Sequence, residues 1–370
     1  MNRRPKNVLF FCGGLNVGGA ELHMARLRER LALNGQPSEL VVHGSAASDV
    51  LLRMPGARDA IFLNLKGMSE LAGWVTLWRL FRRIDPDVIF AVNQTPLIIA
   101  VLLRFLFGTR AKIVCIFHST QMQAFERRLE TPFIFAARYC DMLVYVAEHQ
   151  RRHWTERGVA PRSCCVIYNG VDCPQPRPEL RGQTREKLRI EEEELTLVHV
   201  AAFRDEKNHR ELVDAMAMAA GRGLAVKALL VGAGPTQAGI RARVESLGLA
   251  DKILFVGEQA DPFSYIAASD AGVMCSRIET FPLAVLEYLN CGIPVIGSDV
   301  GGMGEIVENG QNGLLYKAGQ IECFADCIGE IAHADRRAQL AANARSSVQR
   351  FSFDHMAECY QELITALSPR

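Results

Sequence analysis

Two carboxylates eight residues apart, Glu279 and Glu287, have the most chemistry in their surroundings. They lie in the run Ser276-Arg277-Ile278-Glu279-Thr280-Phe281-Pro282-Leu283-Ala284-Val285-Leu286-Glu287, which reads as a strand end passing into a helix. Glu279 falls in the loop and Glu287 about two turns into the helix. A glutamate at the carboxyl edge of a parallel sheet can accept two hydroxyls of a ribose or hexose, as acidic residues do in dinucleotide folds. The helix start between the two acids offers free N–H groups to an anion. Spacing alone equally describes a capping acid and a solvent-facing one. Cations stand elsewhere: Lys207 in Glu206-Lys207-Asn208, and Arg204 three residues earlier. His118 follows the strand-like Ile113–Phe117, an edge that lines ligand sites in α/β sheets but also holds structural histidines.

Two glycine loops join strand to helix. The first, Gly13-Gly14-Leu15-Asn16-Val17-Gly18-Gly19-Ala20-Glu21, can present backbone N–H groups to a phosphate, yet it is neither a G-x-G-x-x-G nor a P-loop. A plain tight turn explains it as well. The second, Val231-Gly232-Ala233-Gly234-Pro235, is weaker still. Asp85-Pro86-Asp87 imitates a metal-binding D-x-D but reads better as a turn opening the strand Val88–Val92. No other His or Cys has ligand spacing, so no metal site is expected and basic side chains should carry any phosphate charge.

The elements that must position these residues alternate. Val8–Cys12, Glu39–His43, Val88–Val92, Lys112–Phe117 and Met142–Val146 are strand candidates in the first half, and Ala20–Leu33 is periodic like a helix. After Asn169-Gly170-Val171-Asp172 and prolines at 174, 176 and 178, the pattern restarts with Leu195–Ala201, Ala225–Val231, Ile253–Val256, Ala271–Cys275 and Pro294–Ile296. This predicts two similar doubly wound α/β domains, 1–172 and 173–351. Residues 352–367 form an amphipathic helix with Phe353, Met356, Tyr360, Leu363 and Leu367 on one stripe.

The run from Glu279 continues as Gly292-Ile293-Pro294-Val295-Ile296-Gly297-Ser298, Gly301-Gly302-Met303-Gly304-Glu305, and Asn309-Gly310 with Asn312-Gly313. It resembles the retaining glycosyltransferases of family 4, densely over residues 250–316 and consistently along the chain. The Gly18-Gly19-Ala20-Glu21 loop, the Asn169–Asp172 turn and Glu206-Lys207-Asn208 resemble that family too. The resemblance implies the GT-B architecture: two Rossmann-like domains facing across a cleft, an acceptor-side amino-terminal one and a donor-binding carboxy-terminal one, with the helix 352–367 packing back on the first. It implies that Glu287 holds the ribose and Glu279 the transferred sugar, near the backbone of Phe281, Pro282 and Leu283. Lys207 would neutralise the diphosphate, Gly18 and Gly19 approach the same phosphates, and His118 meet the sugar. The family usually carries arginine five residues before this lysine; here the position is Ala202, and Arg204 stands in as the replacement cation.

The function so implied is a hexosyltransferase-type retaining glycosyltransferase, in surface polysaccharide, lipopolysaccharide or glycolipid biosynthesis. Its partners would be a nucleotide-sugar donor (UDP or GDP) and a glycan or lipid-linked acceptor, with no cofactor or metal. A sugar-nucleotide epimerase or phosphorylase on the same fold, and a non-catalytic nucleotide-sugar-binding subunit, remain as alternatives. A net charge of +1 gives no global pull toward nucleic acid. No signal peptide is expected from the short apolar run after a basic start, and Pro96–Phe107 is too short to span a bilayer. Scattered cysteines read as reduced thiols of a cytoplasmic protein. Trp74, Trp78, Arg79, Phe81, Arg82 and Arg83, with Phe105, Phe107 and Arg110, suit peripheral contact with the cytoplasmic membrane; a core stripe with a solvated basic face fits equally.

Overall fold

The computed structural model describes residues 6–15, 19–45, 48–65, 71–120, 127–172, 178–259 and 261–367. It divides into two units, Met1–Gly170 with Phe353–Arg370, and Val171–Ser352. Most of the linker prolines, and Gly18, lie outside the described residues.

Unit 1 is built on a parallel sheet of β1 (Val8–Cys12), β2 (Ser38–Val42), β3 (Ile61–Phe62), β4 (Val88–Val92), β5 (Lys112–Phe117), β6 (Met142–Tyr145) and β7 (Cys164–Val166), in the order β3-β2-β1-β4-β5-β6-β7. Unit 2 has β8 (Leu195–Val200), β9 (Val226–Val231), β10 (Ile253–Gly257), β11 (Ala271–Met274), β12 (Val295–Ser298) and β13 (Gly313–Tyr316), in the order β10-β9-β8-β11-β12-β13. Both sheets are doubly wound. The order reverses between β1 and β4 in unit 1, and between β8 and β11 in unit 2. A strand covered on both faces must be apolar throughout, which is why Val8–Cys12 and Val88–Val92 are continuous buried runs. Three strands were not foreseen: Ile61–Phe62, Cys164–Val166 and Gly313–Tyr316. They are short, lie toward the sheet edges, and two of them are only partly buried.

The last helix, Phe353–Ala366, belongs to unit 1. Phe353, Met356, Ala357, Tyr360 and Ile364 are buried, and Tyr360 meets Phe90 of β4 edge-on at 5.9 Å. The expected stripe therefore bends: Ile364 enters the core, while Leu363 and Leu367 only pack partly against it.

Candidate functional site

Loops that follow the two strands flanking a switch point open apart, leaving a crevice at the carboxyl edge of the sheet. In unit 2 those strands are β8 and β11. Lys207 comes from the loop after β8, and Glu279 from the loop after β11. Their side chains meet: Lys207 Nζ donates to Glu279 Oε1 at 2.6 Å, and Ser276 Oγ donates to the same oxygen at 2.6 Å. Glu279 is buried and Lys207 half-buried. A carboxylate out of water requires such partners, because burial without them costs several kcal/mol.

Backbone bonds hold these two loops together. Arg277 N–H donates to Glu206 O at 2.8 Å, and the buried Cys275 thiol faces Lys207 O at 3.4 Å and Asn208 O at 3.5 Å. Burial pushes that thiol far above its usual range. The single turn Asp205–Lys207 ends on Asn208, whose φ of 51° turns the chain into the helix His209–Gly221. On the other side, Ser298 Oγ at the end of β12 donates to Ser276 O at 2.6 Å. Gly301 takes φ 60°, and a Cβ there would stand 1.8 Å from the Glu279 carbonyl oxygen. The Gly301-Gly302 turn is thus a backbone rest for Glu279.

Glu287 belongs to the helix Leu283–Asn290. It is the fifth residue of that helix, so it lies little more than one turn in, not two. Next to it Tyr288 is fully buried, and its hydroxyl accepts the Val200 N–H at 2.7 Å, which pins the helix over the end of β8. The helix begins after Pro282, which is extended and provides no side-chain cap. Its first N–H groups are therefore presented beside the partly exposed Leu283 and the buried Phe281, at the same sheet edge as Lys207 and Glu279.

Arg204 precedes the Asp205–Lys207 turn in extended conformation. Its side chain is 58% exposed, with Glu206 Oε1 at 3.9 Å, a solvated pair. The loop that carries it is fixed from below. Phe203 N–H donates to Ala233 O at 3.0 Å, and Thr236 N–H to Phe203 O at 3.1 Å. Gly232, at φ 146°, lets the two loops touch, since a Cβ would lie 2.1 Å from Ala201 O. The second glycine loop thus supports the cation loop by backbone packing. His209 stacks on Phe203 at 4.0 Å, and His199 meets His209 at 4.6 Å. Burial lowers the His199 pKa to about 4 and the His209 pKa to about 2.

In unit 1 the corresponding edge holds His118, directly after β5. Its N–H donates to Asn93 Oδ1 at 3.0 Å, and burial lowers its pKa to about 4, so it is neutral at pH 7. Its ring lies 5.8 Å from that of His23, a residue the sequence reading passed over. His23 is buried, touches Phe353 of the last helix edge-on at 5.7 Å, and its Nε2 accepts the Gly170 N–H at 3.4 Å. Gly19 opens the helix Gly19–Leu33, which contains His23. The turn at Asp85-Pro86-Asp87 lies before β4, where Asp87 Oδ2 accepts the Asn7 N–H at 2.9 Å and ties the starts of two strands. It is a structural clip at the opposite sheet edge from His118.

Comparison with known proteins gives two family models. The one described as Glycosyl transferases group 1 matches residues 181–347, and the one described as Glycosyltransferase Family 4 matches residues 17–175. N-acetyl-alpha-D-glucosaminyl L-malate synthase of Bacillus anthracis is 29% identical over 72% of this chain and 71% of its own length. D-inositol 3-phosphate glycosyltransferase of Rhodococcus erythropolis is 33% identical over 54% of this chain, and the match spans only about half, 48%, of that relative. Among solved structures, Anabaena HepE in complex with UDP-glucose superposes with a TM-score of 0.86 at 22% identity, over 98% of this chain and 100% of that one. WaaG, a glycosyltransferase involved in lipopolysaccharide biosynthesis, gives 0.77 at 17% identity, over 97% and 100%. At such identities the likeness is one of fold, the GT-B architecture.

Proposed function

The chain belongs to the glycosyltransferases that join a family 4 amino-terminal domain to a group 1 carboxy-terminal domain, and on that premise we propose that it transfers a hexose from a nucleoside-diphosphate sugar to an acceptor hydroxyl with retention of configuration. The observation that carries this reading is the Lys207–Glu279 pair at the β8/β11 switch point, beside the uncapped start of Leu283–Asn290. A diphosphate finds there a cation and free N–H groups; a sugar finds a buried carboxylate that accepts hydroxyls. Glu287 accepts the ribose hydroxyls. Lys207 and Arg204 stabilise the leaving diphosphate, with backbone at Phe281, Pro282 and Leu283 bordering the sugar. A phosphate role for Gly18 and Gly19, and a sugar role for the neutral His118, rest on the family resemblance alone. The names of HepE's complexes make UDP-sugars the first donors to try.

In the proposed step the acceptor oxygen bonds to the anomeric carbon on the face the diphosphate leaves. The bond from that carbon to the phosphate oxygen breaks, and the acceptor proton passes to the departing phosphate. No metal is needed, so turnover should persist in chelator. The acceptor is a glycan or a lipid-linked molecule, and the reaction takes place at the cytoplasmic face of the membrane, in surface polysaccharide or glycolipid synthesis. Among the described residues no helix is long and apolar enough to cross a membrane.

Calorimetry tests the donor assignment. Glu287→Ala should weaken nucleoside-diphosphate sugar and free nucleoside diphosphate together, because both contain the ribose. The expected loss is about 1.5–3 kcal/mol, a factor of roughly 10 to 150. Unchanged diphosphate affinity would remove Glu287 from the site. A second reading, a non-catalytic binding subunit, has Ala202 and the solvated Arg204 in its favour. Product analysis across an acceptor panel decides: donor binding with no transfer product supports it, and a product without acceptor supports an epimerase.

A further inference from the structure

Among the described residues, four of the six most exposed large apolar side chains stand together in unit 1: Phe105 (55%), Leu106 (64%), Phe107 (38%) and Phe135 (54%). They crown the end of the helix Gln94–Phe107, which stops at Gly108. The aromatic contacts run outward from it on two sides. Phe107 stacks on Trp78 at 5.3 Å, and the Arg82 guanidinium lies 5.4 Å over that indole. On the other side Phe105 and Phe135 both meet Tyr139 at 4.9 Å. Arg104 fixes the assembly from beneath, donating to Tyr139 O at 2.7 Å and to Asp141 at 2.6 Å. A groove of about 490 Å³ runs between Trp78, Phe107, Arg82 and Arg110.

The charge at this place departs from the near neutrality of the whole chain. Arg82, Arg110 and Arg138 are exposed around the apolar crown, and Arg79 and Arg83 extend the basic side of the same helix, Leu71–Ile84. None of the five makes an ion pair among the described residues, and the exposed acid beside them is Asp85. An apolar tip ringed by arginines matches a boundary that is hydrocarbon within and anionic at its surface. It does not match a second copy of itself, which would bring like charges together.

We propose that this crown docks unit 1 on an anionic lipid bilayer, Phe105 and Leu106 entering the headgroup boundary and Arg82, Arg110 and Arg138 facing lipid phosphates. The inference rests on the membrane-side part of the proposed function and assigns it a surface. The crown lies where helices run into the starts of β4, β5 and β6, the edge opposite His118, so docking leaves the carboxyl edge of the sheet uncovered.

Vesicle flotation without any sugar nucleotide tests it. The protein should float with phosphatidylcholine vesicles containing phosphatidylglycerol and not with phosphatidylcholine alone, and added salt should release it. Arg82→Ala with Arg110→Ala should lower the partition about fivefold per arginine. Phe105→Ser with Leu106→Ser should abolish it. Both variants should keep the wild-type thermal midpoint and turnover on a soluble acceptor. Absence of flotation with anionic vesicles, or equal flotation of wild type and both variants, overturns the proposal. So does a dimer lost in the serine variant with no lipid effect, which would make the crown an interface between copies. Vesicle binding by a protein that transfers no sugar would sink the catalytic reading and leave this surface standing.

Discussion

Glu279 accepts two donors on one oxygen, and one of them, Ser276, was invisible as a functional residue because a serine three positions before a glutamate is common and signals nothing by itself. Glu279 and Lys207 were legible as neighbours for the opposite reason: loops at strand carboxyl ends are where an α/β sheet places its chemistry, whereas the role of Glu287, inside a helix, rests on the family resemblance. Arg204 is the residue at which reasoning from sequence and the observed geometry diverge. Its side chain points into solvent near Glu206 rather than lying in the Lys207–Glu279 pair. If it serves the leaving diphosphate, it must swing, and its contact strengthens as charge develops on that phosphate. Arg204→Ala should then lower kcat by on the order of 10²–10³ while raising donor KM far less. Ala202→Arg in the Arg204→Ala background should recover part of the loss. Steady-state kinetics with wild-type kcat in Arg204→Ala would leave Lys207 and the backbone amides as the only stabilisers.

Elements, not side chains alone, set the site. Gly301 and Gly292 both take left-handed φ, 60° and 82°, so alanine costs each about 1 kcal/mol of backbone strain. Only at Gly301 does the added Cβ meet Glu279, at 1.8 Å; at Gly292 it meets open space. Gly301→Ala should therefore reduce donor affinity at least tenfold beyond Gly292→Ala at matched temperature, a comparison calorimetry can make. The buried histidines make a second element-level statement. His199 Nδ1 lies 2.8 Å from Val273 O, so that nitrogen carries a proton, and burial, outweighing this bond, keeps the ring neutral at pH 7. With a folded pKa of about 4 against an ordinary 6.5, the unfolded chain binds a proton that the folded one refuses. Stability should thus be full above pH 6.5 and fall as pH drops toward 4, by up to about 3 kcal/mol for this group. Thermal midpoints followed from pH 7 to acid should show a shallower decline in His199→Gln; an unchanged slope would exclude His199 as a source. The principal strands of both units were legible because continuous apolar runs admit few readings in a buried sheet. The short edge strands and the positive-φ turns were not, since a two-residue strand has no period and a glycine does not announce what it lies against.

At the scale of the whole molecule, each unit has its own core, and the first combines the early part of the chain with the last helix. Val171 and Ser352, the first and last residues of unit 2, pair as a parallel bridge, so the chain enters and leaves that unit at one place. The amphipathic period of residues 352–367 revealed a helix, and only the family resemblance, not that period, pointed to the first unit; the contacts with β4 and with the helix Gly19–Leu33 decide it. That assignment separates two properties. Tyr360 is fully buried against Phe90, and truncating a buried aromatic costs about 3–5 kcal/mol. Tyr360→Ala should destabilise unit 1, lowering its thermal transition by several degrees. Glu279, Glu287 and Lys207 all belong to unit 2, whose core of Leu197, Ala228, Val273 and Ile296 does not include the last helix. If unit 2 holds the nucleotide, affinity for free nucleoside diphosphate should stay within about twofold in the variant, less than 0.5 kcal/mol. Scanning calorimetry and isothermal titration on the same preparation give both readings. A parallel collapse of nucleotide affinity below the transition temperature would mean that donor binding depends on unit 1 as much as on unit 2.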